Sequence, residues 1–170
     1  NYLSYAAITA RHYDAGYSCV AKSGIGVMVS WFSLIMPEMY SRLNPTDAGS
    51  KWDFARYTPD VVVINLMQND ADIIGDPSSQ EFKARFSSQP KEQFIVNAYR
   101  NFVQSIRDKY PAAYIICELG SSGITCPGSQ WPGYVEKAVA QMKDAKVSTH
   151  FYPCRTTKGH PKAHDHQAMA

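Results

Sequence analysis

The chain has 170 residues, 45% of them hydrophobic and 19% charged, ordinary figures for a chain that folds around a buried core. A formal net charge of +2 is too small to mark a nucleic-acid partner, which excludes that class of function. Asp60 and Asn65 bracket the best apolar run, so no stretch approaches the length of a membrane span.

The first residue is Asn1 and no signal-like segment follows it, so the chain reads as processed or as a fragment. Residues 1–14 carry Leu3, Ala6, Ala7 and Ala10 at helical spacing, and Gly16 is placed to end that helix. Residues 17–21 read as a short strand leading into Ser23-Gly24-Ile25-Gly26, a glycine turn at its carboxyl end. Gly24-x-Gly26 lacks the third glycine of a dinucleotide loop, with Val29 in its place, and no cofactor is expected. Residues 31–43 read as a helix capped by Ser30 or Ser33, with Pro37 starting a second piece, and 44–58 as loop with Trp52 and Phe54 packed inward.

Residues 61–66 are mostly β-branched, preceded by Pro59, and read as a central strand buried on both faces. Gln68, Asn69 and Asp70 fall just past its carboxyl end, where α/β sheets bind ligands. A polar loop is expected from there to Pro90. Helical periodicity resumes at Phe94, Ala98, Phe102, Ile106 and Tyr110, capped by Ser87 or Ser88 and stopped by Pro111. A strand at 113–117, a helix at 132–144, a strand at 147–152 and a tail helix from His160, opened by Pro161, complete the order. Strand–helix alternation predicts a doubly wound α/β parallel sheet with no second domain. Of four cysteines, Cys19 and Cys117 lie in apolar runs and read as buried thiols; Cys126 and Cys154 lie in loops where a disulfide could form, which would imply an oxidising compartment.

Gly24, Asn69 and His160 stand at or just beyond strand ends. A turn glycine can offer a backbone N–H, asparagine an amide N–H, and histidine a proton relay near neutral pH, the parts of an acyl-transfer site short of its nucleophile. Each also has a plain structural explanation, as a turn, a loop cap and a surface residue.

Residues 2–7 (Tyr-Leu-Ser-Tyr-Ala-Ala), 23–26, 59–66 with Asn69-Asp70, His160-Pro161 and 166–170 together resemble the SGNH (GDSL-type) hydrolases, especially the carbohydrate esterase family 2 acetylxylan esterases. The resemblance spans nearly the whole chain. It implies a three-layer α/β/α, flavodoxin-like esterase domain (residues 1–170) whose first strand, with its Gly-Asp-Ser nucleophile block, lies upstream of Asn1. Gly24 and Asn69 would be oxyanion donors and His160 the general base. Thr157 stands where a triad acid would be, so the Gly159 carbonyl would orient His160 in a Ser–His dyad. Met67 stands where the family's asparagine block usually has glycine. No serine here matches the nucleophile block, and Ser4, Ser23 and Ser121 are not assigned that role. The implied substrate is acetylated oligo- or polysaccharide, and the implied location secreted or cell-surface.

Two other functions stay open. His160, His164 and His166 could hold a metal ion, His160 and His164 sharing a helix face at i, i+4. Trp31, Trp52 and Trp131 could instead offer stacking surface in a non-catalytic carbohydrate-binding module.

Overall fold

The computed structural model describes residues 2–157 and 159–170. Three short strands, β1 (Val61–Asn65), β2 (Tyr114–Leu119) and β3 (Val147–Phe151), form a parallel sheet in the order β1-β2-β3. Val61 pairs with Tyr114 and Asn65 with Glu118, while Glu118 in turn pairs with His150. Parallel neighbours need crossover connections, and long helices supply them. One is α5 (Glu92–Lys109) and the other α6 (Trp131–Met142).

The face of the sheet with Ile115, Cys117 and Leu119 is fully buried. The apolar stripe of α5 accounts for that: Ile95, Val96, Tyr99, Phe102, Val103 and Ile106 are all buried, with Val135 and Ala138 of α6. Each such side chain contributes roughly 1.5–3 kcal/mol by leaving water. Burial also pushes the Cys117 thiol to about 11, so it is inert. Arg107 locks the far end of α5, bonding Asp144 at 2.7 Å and the Ala113 carbonyl at 2.7 Å. On the opposite face lie α1 (Tyr5–His12) and α7 (Ala163–Met169), packed on each other. Helices on both faces of a parallel sheet give the expected α/β/α layering.

Several elements differ from expectation. The strand at 61–66 is not central: β2 is, and Val61 and Val63 of β1 are 52% and 46% exposed. Both point to the same face as Tyr114, which is also exposed, and no described strand pairs with the other edge of β1. Residues 17–21 form no strand for the same reason, since extended backbone needs a partner for its N–H and C=O groups. Cys19 is therefore exposed rather than buried.

The first helix is shorter than residues 1–14 (Asn1 lies outside the described residues). Ser4 caps it by accepting the Ala7 N–H, and it ends at His12 with Tyr13 as its C-cap and Asp14 left-handed (φ 50), before Gly16. Leu3 is exposed, and Ala7 is the stripe's buried member. Within 31–43 the helix is one turn, α2 (Met36–Met39), because Ser30 spends its hydroxyl on Gly26 instead of capping. Phe54 packs on Tyr40 and Tyr110, while Trp52 is half-buried beside Arg56. The expected polar loop after Asp70 contains α3 (Gln68–Ile74) and α4 (Gln80–Arg85). α5 begins at Glu92 with Lys91 as its cap, beyond Ser87 and Ser88.

Candidate active site

The turn at Gly24 is one end of a buried loop, residues 25–30, that lies against the start of α3. Gly24 has φ +82, a left-handed conformation that glycine adopts without strain. Its carbonyl accepts from the Trp31 N–H at 3.0 Å, closing the loop, and the Trp31 ring covers it: a Cβ on Gly24 would lie 3.3 Å from Trp31 Cδ1. Gly26 donates its N–H to Ser30 Oγ at 2.9 Å. A Cβ at Gly26 would meet the Val29 carbonyl at 2.0 Å and Asp70 Oδ2 at 2.6 Å, so no larger residue fits.

Strand β1 turns directly into α3 at Met67, which is fully buried and left-handed (φ 88). Leu66 and Met67 are the whole connection, which puts Gln68, Asn69 and Asp70 in the first turn of α3, at the carboxyl edge of the sheet. Asn69 and Asp70 then grip the loop between them. Asn69 Nδ2 donates to the Ile25 carbonyl at 2.8 Å, and its Oδ1 accepts from Trp31 Nε1 at 3.1 Å. Asp70 accepts from the N–H groups of Val27 (2.9 Å), Met28 (2.7 Å) and Val29 (3.2 Å). Burial pushes the Asp70 carboxyl above the usual range, and the three backbone N–H groups pull the other way.

Gly24 and Asn69, singled out separately in the sequence, are thus parts of one structure. An asparagine amide carries two N–H donors, of which the Ile25 carbonyl takes one. Such a cradle can present an amide N–H and a backbone N–H to one anionic oxygen. The sequence places Asp70 only past a strand end and Trp31 only as stacking surface, neither as part of this cradle. Their signals were adjacency: an aspartate beside the candidate asparagine, and an indole seven residues past the candidate glycine.

His160 is exposed, on the segment between β3 and α7. That segment is tied down on the sheet side. Cys126 and Cys154 are joined in a disulfide with Cα atoms 4.5 Å apart, and Ser121 Oγ donates to the Pro153 carbonyl at 2.9 Å. Arg155 reaches the Ser121 carbonyl (3.2 Å), Thr157 Oγ1 (2.7 Å) and the Gly159 carbonyl (2.5 Å). The Gly159 carbonyl expected to orient His160 is therefore engaged by Arg155, because a guanidinium can fork across several carbonyls at once. Among the described residues no hydrogen bond joins His160 to Gly159, Gly24 or Asn69.

The three histidines of the metal alternative are not arranged as expected. Asp165 accepts the Lys162 N–H at 2.7 Å and starts α7 at Ala163, so His160 precedes the helix and shares no face with His164. His164 Nε2 lies 3.3 Å from Asp165, and His166 Nδ1 accepts from the Tyr5 N–H at 3.3 Å. Among the described residues, no group of three or more His, Cys, Asp or Glu could hold a metal ion.

Sequence reasoning also missed Glu118, a buried carboxylate at the carboxyl end of β2. The Tyr152 O–H donates to its two oxygens at 3.3 and 3.4 Å, and Tyr5 bonds it from α1 while accepting from Asn65 Nδ2 at 2.9 Å. Burial raises the Glu118 carboxyl above the usual range, opposed by the charge of His150 and by the hydroxyls of Tyr152 and Tyr5. A carboxyl raised on folding adds stability fully below its unfolded value and loses it as pH climbs through the folded one. Glu118→Gln keeps an acceptor for Tyr152 and cannot ionise. It is expected to raise Tm at neutral pH by about 2–4 °C, equivalent to roughly 1 kcal/mol, with the gain vanishing below about pH 4. Thermal melts across pH check this; an equal effect at every pH refutes it.

No family model matches the chain. The cellulase/esterase CelE of Acetivibrio thermocellus is 38% identical over 122 residues, which make up 71% of this chain and 13% of that protein. An acetylxylan esterase / glucomannan deacetylase of Cellvibrio japonicus is 26% identical over 176 residues, covering 98% of this chain and 45% of that protein. A family two carbohydrate esterase from Clostridium thermocellum, solved in complex with cellohexaose, matches with a TM-score of 0.80 at 32% identity, over 99% of this chain and 51% of that one. The chain thus spans less than half the length of the curated relatives it matches. Likeness in sequence over most of the chain, and in fold over nearly all of it, gives the assignment: it belongs with the family 2 carbohydrate esterases, as their SGNH-type α/β domain.

Proposed function

We propose that this chain is the larger part of the catalytic domain of a secreted serine esterase that removes O-acetyl, or other short acyl, groups from carbohydrates such as xylan. One observation carries the reading: Asn69 is clamped beside the Gly24 turn at the carboxyl edge of the parallel sheet. The nucleophilic serine lies upstream of Asn1, on a strand that pairs with the open edge of β1. Its Oγ attacks the acyl carbon and its proton passes to His160. The Gly24 N–H and the second Asn69 N–H hold the resulting oxyanion. His160 returns the proton to the departing sugar hydroxyl; water then attacks the acyl-enzyme, giving the carboxylic acid and free serine. The Gly159 carbonyl has a lone pair beyond the one Arg155 uses, and receives the other ring N–H of His160.

The names of the relatives support this substrate class, and the Cys126–Cys154 disulfide suits an oxidising compartment. The test compares residues 1–170 with the chain extended upstream of Asn1, following acetate release from acetylated xylan and labelling by a fluorophosphonate. The extended chain should be active and labelled at an upstream serine, and residues 1–170 should have negligible activity. Labelling at Ser4, Ser23 or Ser121, or activity lost on chelation and restored by zinc, overturns the reading.

A further inference from the structure

We propose that Asp70 is a positioning residue for the reaction, holding the Gly24 loop in register with Asn69; the inference rests on the oxyanion role proposed above. Asp70 is fully buried and touches no solvent, so it does not act on substrate. Its carboxylate reaches across to one place in the loop: three consecutive backbone N–H groups of residues 27–29. Those residues share the loop whose ends meet at Gly24 and Trp31. Asn69, one residue earlier on the same helical turn, holds Ile25 and Trp31. The two neighbours therefore fix both donors of the cradle to a single turn of α3, so that neither Gly24 nor Asn69 can shift without the other.

The charge type matters. Oδ1 takes the Met28 and Val29 N–H groups and Oδ2 takes Val27, so both oxygens are acceptors facing donors. Asparagine is the same shape but turns one of them into an NH2 that confronts an N–H. The loop must then shift by a fraction of an ångström, and misplacement of about 1 Å can cost about 10²-fold in rate.

The test uses the extended, active chain and three variants: Asn69→Ala, Asp70→Asn and the double. For a soluble acetyl ester measured well below Tm, Asp70→Asn should lower kcat about 10- to 100-fold with KM within about threefold. The double variant should lose less than the product of the two single losses, because both act on one cradle. Normal kcat in folded Asp70→Asn, or losses that multiply, overturns the positioning role while leaving the oxyanion reading intact. Normal kcat in Asn69→Ala instead overturns the oxyanion reading, and this inference with it. If Asp70→Asn does not fold, Ser30→Ala, which removes the Gly26 acceptor within the same loop, is read instead. A kcat-only loss of at least about threefold supports the proposal, and an unchanged kcat overturns it.

Discussion

Removing the imidazole with His160→Ala is expected to lower kcat for ester hydrolysis in the extended chain by about 10⁴- to 10⁶-fold, the range seen when a serine hydrolase loses its base. The neighbouring polar residues should behave differently. Asp165, the third residue of α7, is occupied in the capping box with Lys162, whose N–H chiefly holds it below the usual carboxylate range. Asp165→Ala should lower Tm slightly through the lost capping bond, with most activity kept. His164 points at Asp165 from an exposed position, and His164→Ala should be close to silent. His160→Ala should leave Tm unchanged, since the ring is exposed and none of its described neighbours depends on it. Steady-state kinetics of the three variants decide the matter. Activity that survives His160→Ala removes it as the base.

Asn69→Ala is expected to lower kcat about 10²- to 10³-fold, the usual loss for one oxyanion donor. A purely catalytic asparagine would leave Tm alone, but this one also bonds Ile25 and Trp31. Two lost bonds at about 1 kcal/mol each should lower Tm by several degrees. Asn69→Asp separates the effects. It keeps the acceptor for Trp31 and loses both donors, so kcat should fall as far as in the alanine variant. Activity within a few-fold of the parent in both would make Asn69 a loop clamp and nothing more.

How far the sequence foretold this arrangement depends on length of pattern. α5, α6, β2 and β3 were legible to within a few residues, because their apolar periodicity or β-branched runs are long enough to speak for themselves. α3 and α4 were hidden: seven and six residues give too little period, and Gln68-Asn69-Asp70 reads as turn chemistry when it is a first helical turn. Residues 17–21 have strand composition without a strand partner, and partners are not written locally. At the site, Gly24 and Asn69 could be found from their places after β-like runs. The grip of Asp70 on three backbone N–H groups more than forty residues away could not, since backbone donors leave no mark in a sequence.

Met67 couples the turn to the core. Its left-handed backbone costs about 1–2 kcal/mol relative to an ordinary conformation, a cost that the glycine usual in this family would not incur. Yet its side chain is wholly enclosed, and emptying such a site typically costs about 2–5 kcal/mol. Met67→Gly would therefore relieve less than it forfeits unless the neighbouring side chains grew to fill the space. The packing around Met67 opposes the glycine that its backbone favours. Engineering at this turn has to change the core and the hinge together.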